Sequence, residues 1–337
     1  MKNLNNTLPA EKLTVVENAI QNAFNTTTVE DIILLAGGLS ASVVFKIVVN
    51  GQQYVLKLDS PGIAPKKYTC MEIAANEGIA PPVYYLNKED GVSITGFINN
   101  MPIQAVFTTP DMLLPQLAKT IRRIHALPPF PVENSLVNTV DGLIAQFKAS
   151  CMLEGAFFDK LFAYYGEIRK YYPWEDADKV SGHNDLNPNN MVFDGEKIWV
   201  IDWDAAFIND RYVDLAIMAN FYVTTDDQES IFLNAYFGDS INDYNRARFF
   251  VMRQVCRIVY AMLMFKLADN TKPTDTRHNP DMQNISLNRI KEMLRAGKLS
   301  LASYDGQLLF GKGMLTEAMN DLQSSRFAFS MDQLKNE

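Results

Sequence analysis

Between Ser181 and Asp204 the chain reads SGHNDLNPNNMVFDGEKIWVIDWD: four aspartates, four asparagines and one histidine around two short apolar runs. Asp185 stands two residues after His183 and five before Asn190, and Asp202 closes the apolar run IWVID. If MVF and IWVI pair across the DGEK turn, Asn190 and Asp202 reach the same end of one hairpin. Two oxygen-bearing side chains meeting there suit a hard cation such as Mg²⁺. Asp185, set back on the preceding loop, is free to orient and deprotonate a hydroxyl. Phosphoryl transfer needs this division of labour: a carboxylate for the nucleophile's proton, Asn and Asp for Mg²⁺ against the phosphates, and a lysine to steady the nucleotide. The same stretch also reads as a solvated loop of turn-forming residues, which accounts for Asn184 and Asn187. It accounts less well for Asp202 and Asp204, which bracket Trp203 directly after an apolar strand. With only His125, His183 and His278 in the chain, a three-histidine metal site would consume every histidine.

The rest of the chain must position these groups. At 337 residues it is long enough for a sizeable core and two lobes. Apolar content of 47% with 21% charged residues is that of a globular protein, and a net charge of -8 disfavours a broad nucleic-acid surface. Cys70, Cys151 and Cys256 fit no metal spacing and no disulfide framework, so they read as buried free thiols in a reducing compartment. The polar N-terminus has no signal-peptide core, and the most apolar helical run, VCRIVYAMLMFKLA, is broken by Arg257 and Lys266. The expectation is a cytoplasmic protein without membrane insertion.

Residues 11–24 have helical apolar spacing. Three strands follow in IILLAGGLSASVVFKIVVNGQQYVLKLD, the last two joined by Asn50-Gly51, a strong hairpin signal because both residues tolerate positive φ. KKYTCMEIAANEG reads as a helix closed by Gly78, and PPVYYLNKEDGVSITGFI as a hairpin turning near Asp90-Gly91. Leu114, Leu117, Ala118, Ile121, Ile124 and Leu127 then form one apolar stripe ended by Pro128. One or two helices over 137–170, helix over 212–265 broken around TTDDQ and GDSINDY, a short helix at 283–297 and a mixed tail complete the chain. The division expected is a β-rich lobe over 1–98, a linker at 99–103 and a helical lobe over 104–337 carrying the catalytic and substrate sites.

SGHNDLNPNNMVF followed by WVIDWDAAFINDRYVDLA resembles the paired signature of the aminoglycoside phosphotransferase and choline kinase superfamily, closest in style to bacterial choline, ethanolamine and thiamine kinases. The resemblance runs over roughly residues 30–265. It implies an α+β, protein-kinase-like bilobal fold with an antiparallel-sheet N-terminal lobe and a mostly helical C-terminal lobe. Residue by residue, it makes Asp185 the catalytic base, Asn190 and Asp202 the Mg²⁺ ligands and His183 the histidine that organises the loop. Asp214 becomes a brace on the following helix. Gly37, Gly38 and Ser40 in GGLSAS would cover the ATP phosphates, where backbone amides approach only past small side chains. Lys57, in YVLKLD, would contact the α- and β-phosphates, held extended by Glu72 or Glu77. Phe97, Ile98 and Asn99 would receive adenine, and His125 would be a packing residue.

The acceptor expected from the resemblance is a small cationic molecule with a hydroxyl, choline or a related amino alcohol. Aromatic faces bind quaternary ammonium, which points to Trp203, Phe221, Tyr222, Tyr244 and Tyr260. Asp204 stands ready for the cationic end or for the metal. Thiamine and aminoglycosides are the other acceptors consistent with an acidic cleft, and a nucleotide-binding pseudokinase with a scaffolding role is the reading from another class.

Overall fold

The computed structural model describes residues 4–8, 10–35, 42–59, 66–175 and 179–336. The chain forms two compact units, Met1–Glu133 with Ser181–Ile208, and Asn134–Val180 with Asn209–Glu337. Residues 99–103 lie inside the first unit, and so does the whole hairpin that carries Asp185, Asn190 and Asp202.

In the first unit α1 (Leu4–Thr7) and α2 (Ala10–Phe24) precede β1 (Asp31–Leu34), β2 (Val43–Val49) and β3 (Gln52–Leu58). Asn50 and Gly51 have φ of 51° and 71°, the left-handed pair that a two-residue hairpin requires. After α3 (Lys66–Asn76), β4 (Val83–Asn87) and β5 (Val92–Gly96) complete an antiparallel sheet of order β1-β2-β3-β5-β4. Strand alternation sends Ile32, Phe45, Ile47, Val49, Leu56, Val92 and Ile94 to one face, where Val16, Ala19 and Ile20 of α2 join them in a single core. Each Val, Leu, Ile or Phe among them contributes about 1.5–3 kcal/mol when fully buried. α3 closes at Gly78, whose positive φ lets its N–H reach Ala75 O at 3.0 Å. α4 (Pro110–His125) starts on a proline and buries the anticipated stripe of Leu114, Leu117, Ala118, Ile121 and Ile124.

The chain passes between units within β6 (Lys179–Gly182) and β9 (Phe207–Asp210). Between them β7 (Met191–Phe193) and β8 (Ile198–Val200) pair antiparallel, Met191 opposite Val200 and Phe193 opposite Ile198.

The second unit is built from α5 (Leu136–Ser150), α6 (Ala156–Tyr171), α7 (Tyr212–Tyr222), α8 (Asp226–Phe237), α9 (Asp243–Thr271), α10 (Leu287–Arg295), α11 (Tyr304–Leu322) and α12 (Ser325–Lys335). α9 is its axis, started by a reciprocal cap between Asn242 and Asn245 and packed by α5, α7, α11 and α12. The tail, expected to be mixed, is helical. Gly311 permits the close approach of α11 to α9, since a Cβ there would stand 2.7 Å from the Phe265 ring. Cys151 corrects the expectation of three buried thiols: it caps α5 at a φ of 50° and is exposed, whereas Cys70 and Cys256 are buried. Among the described residues no helix is long and apolar enough to cross a membrane. The fold class is the anticipated α+β, protein-kinase-like one, an N-terminal antiparallel sheet followed by a mostly helical C-terminal part.

Candidate active site

The hairpin β7–β8 does what the spacing requires. Its register carries one step past Met191–Val200, where Ile201 N–H donates to Asn190 O at 3.0 Å. Asn190 and Asp202 therefore leave the same end of the hairpin. Asp202 takes a left-handed conformation, φ 59° and ψ 68°, and starts a 3₁₀ turn over Trp203–Ala205. A non-glycine residue held there is strained, and such strain clusters at functional sites.

Asp185 is held from two sides. The Asn190 side-chain amide donates to Asp185 O at 2.8 Å and to Asp185 Oδ2 at 3.0 Å, while Asn187 Nδ2 donates to Oδ1 at 3.1 Å. With both donors of Asn190 spent on Asp185, its Oδ1 is left as an acceptor. His183 is fully buried, and its ring fixes the loop: Nδ1 accepts from the Asp185 N–H at 3.3 Å, so Nε2 carries the proton toward Ile201 O at 3.0 Å. Asn184, at a φ of 63°, spans from the loop to Ala205 O at 3.0 Å.

Lys57 on β3 reaches this hairpin. Its ammonium lies 2.9 Å from Asp202 Oδ1 and 3.0 Å from both oxygens of Asp204. Burial alone would lower the Lys57 ammonium; Asp202 and Asp204 outweigh it, and the group is raised above its ordinary value. Asp202 Oδ1 is thus engaged, leaving Oδ2 of Asp202 and Oδ1 of Asn190 as oxygens directed outside these contacts. Next to Lys57, the buried Asp59 accepts from Ser42 Oγ and from Tyr68 OH, each at 2.5 Å, tying the start of β2 and the end of β3 to α3. Burial and the adjoining Asp59 carboxylate push the Tyr68 hydroxyl far above its usual range. Sequence reasoning missed Asp59, although its position two residues past Lys57 and its charge at the end of an apolar strand were available signals.

Several anticipated residues stand elsewhere. Glu72 meets Lys88 at 3.8 Å, and Glu77 is exposed, so the carboxylates on Lys57 are Asp202 and Asp204. The reason is proximity: β3 leads Lys57 directly onto the 3₁₀ turn. Trp203 is 2% exposed, its indole N–H donates to Val200 O, and its ring packs edge-on against His183 and Phe130. It is a core residue with no face for an acceptor, because an apolar indole three residues past the end of β8 gains more from burial. Phe97 and Ile98 are half-buried and Asn99 exposed. Asn100 and Met101 beside them bond the main chain of Phe193, fixing that segment to β7. Gly37, Gly38 and Ser40 lie outside the described residues. Tyr222, Tyr260, Phe221, Tyr244 and Asp214 belong to the second unit. There Lys291 lies over the Phe221 ring and Arg248 over that of Tyr244, so protein cations already use those faces.

Among the described residues no group of three or more His, Cys, Asp or Glu side chains could hold a metal. An Asn–Asp pair of oxygens nevertheless fits Mg²⁺, which keeps waters and takes its other ligands from phosphates. The architecture is shared with solved kinases. A choline/ethanolamine kinase family protein from Mesorhizobium loti superposes with a TM-score of 0.70 at 18% identity, covering 96% of this chain and 100% of that one. The choline kinase LicA from Streptococcus pneumoniae gives 0.60 at 17% identity, covering 78% of this chain and 93% of that one. At these identities the likeness is one of fold. An uncharacterized protein of Metamycoplasma hominis is 29% identical over 121 residues, 36% of this chain but only 23% of that protein's length. The phosphotransferase enzyme family model matches residues 31–250, a span that holds Lys57, Asp185, Asn190 and Asp202, and the chain belongs to that family.

Proposed function

We propose that this protein moves the γ-phosphoryl group of ATP to the hydroxyl of a small cationic molecule, an amino alcohol of the choline type. The observation that carries the transfer chemistry is the Asp185 carboxylate, oriented by Asn187 and Asn190 beside the Asn190–Asp202 end of the hairpin. Lys57 would meet the α- and β-phosphates, leaving Asp202 and Asp204 as they come between them. Asn190 Oδ1 and Asp202 would hold Mg²⁺, which neutralises phosphate charge when bound. Asp185 aligns the acceptor hydroxyl and takes its proton. The acceptor oxygen bonds to phosphorus as the bond to the β,γ-bridging oxygen breaks, and ADP leaves with that electron pair. The choline-type acceptor is supported by the fold shared with choline and ethanolamine kinases rather than by an aromatic cage. Trp203 cannot contribute to one.

The test is ATP consumption with Mg²⁺ against choline, ethanolamine, thiamine and several aminoglycosides, with mass detection of product and Asp185→Asn as control. A phosphorylated acceptor that disappears in the variant supports the reading. Transfer that survives Asp185→Asn overturns the role of Asp185. Tight ATP binding with no product from any acceptor turns the reading toward a nucleotide-binding scaffold.

A further inference from the structure

The second unit gathers cations where α7, α9, α10 and α11 meet. Lys291 of α10 donates to the main-chain oxygen of Asn220, at 2.9 Å, and stands 5.6 Å from the Phe221 ring centroid. The same Asn220 accepts through Oδ1 from Arg253 Nε at 3.2 Å. Arg253 and Arg326 share one buried carboxylate, Glu229, Arg326 also meets the exposed Asp226 at 3.5 Å, and Arg257 holds Asp321 at 2.5 Å. Lys291 and Arg295, on one helix, have no carboxylate within ion-pairing distance among the described residues.

Two facts make this more than a charged surface. Lys291 keeps two ammonium donors beyond its bond to Asn220. Arg257 is 7% exposed, and while its Nη1 donates to Gln254 and Asp321, its Nε has no hydrogen-bond partner among the described residues. A buried guanidinium N–H left unpaired costs free energy that an acceptor recovers. Arg295 follows Lys291 by one turn of α10, and Arg257 follows Arg253, which shares Asn220 with Lys291, by one turn of α9. Burial first, and then the charges of Arg257 and Arg295, push the Lys291 ammonium down to about 8. Glu317 opposes them, and Tyr222, half-buried at the end of α7, feels Arg295 as well. Excess positive charge partly removed from water calls for an anion.

We propose that Lys291, Arg257 and Arg295 form a binding site for a small oxyanion, the carboxylate or phosphate group of a small-molecule ligand, with Phe221 and Tyr260 as its apolar wall. The two rings stand edge to face with centroids 6.1 Å apart. The site stands on the second unit alone and does not depend on the reading of phosphoryl transfer.

The test is calorimetric titration of the full chain with inorganic phosphate and with acetate, on the unaltered protein, Lys291→Met and Lys57→Met, each first shown to unfold cooperatively. The expected result is saturable binding that weakens at least about tenfold in Lys291→Met, the loss of one charge-assisted bond, and persists in Lys57→Met. Binding of phosphate alone assigns a phosphate ester, and competition by acetate admits a carboxylate. Either supports the site. Equal binding in Lys291→Met, loss only in Lys57→Met, or no saturable binding of either anion overturns it.

Discussion

The Asn190 amide nitrogen lies 3.0 Å from Asp185 Oδ2 and 2.8 Å from Asp185 O, so one side chain fixes both the backbone and the carboxylate of the proposed base. Its orientation also decides where its own oxygen points. Asn190→Asp removes the donor and sets a second carboxylate against Asp185, where like charges disfavour joint ionisation. The expected outcome is a fall in kcat of about 10²–10⁴-fold, comparable to loss of the general base, with the acidic limb of the kcat profile moved to higher pH. Steady-state kinetics across pH on the unaltered protein and Asn190→Asp measure both.

Lys57 bridges Asp202 and Asp204, and Lys57→Met would leave two carboxylates facing each other. Weaker ATP binding follows, by about 1.5–3 kcal/mol, the worth of hydrogen bonds to charged groups. Thermal stability changes far less, because both carboxylates are more than a third exposed and water screens their repulsion. Nucleotide titration and a melting curve on the same variant separate the two effects.

Trp203 lies in the core, not on a ligand face, and its substitutions should show this. Trp203→Ala is expected to cost about 3–5 kcal/mol in chemical denaturation, the range for emptying a buried aromatic site. Trp203→Phe keeps most of the packing and should leave the KM for the acceptor within about twofold, under half a kcal/mol. A large rise in that KM with normal stability would return Trp203 to the acceptor site.

Lys291 gives stability a pH dependence of definite sign. Its ammonium is held down to about 8, first by burial and then by Arg257 and Arg295, against about 10.4 in an unfolded chain. Below pH 8 both states carry the proton and the full penalty is present. Between about 8 and 10.4 the unfolded chain binds more protons, so stability rises with pH through that window. The full excursion is about 3 kcal/mol from this group. Lys291→Met is expected to be more stable at pH 7 and to lose most of that slope, measured by urea unfolding at several pH values.

Gly306 lies at the start of α11, where a Cβ would stand 1.9 Å from Ser300 O. Backbone cannot yield as a flexible side chain does. Gly306→Ala should therefore destabilise by about 1–3 kcal/mol, the usual cost of overpacking, read as a lowered unfolding midpoint in urea.

The hairpins, the apolar stripe of α4 and the polar pattern from His183 to Asp204 were legible in the sequence because each is a local matter. Asn-Gly sets its own turn, a stripe follows a 3.6-residue period, and a three-residue strand pair carries Asn190 and Asp202 to one end whatever lies around it. The helical tail was not legible: α11 has glycines at 306, 311 and 313 and owes its stability to packing on α9 rather than to propensity. Tertiary structure alone decided which carboxylates face Lys57, since Asp202 and Asp204 lie 145 and 147 residues away in sequence. It also decided that Trp203 is interior and that Lys291 shares Asn220 with Arg253. A residue's type and spacing define what it can do chemically, but its neighbours across space set burial and charge, and these determine which of those possibilities is realised.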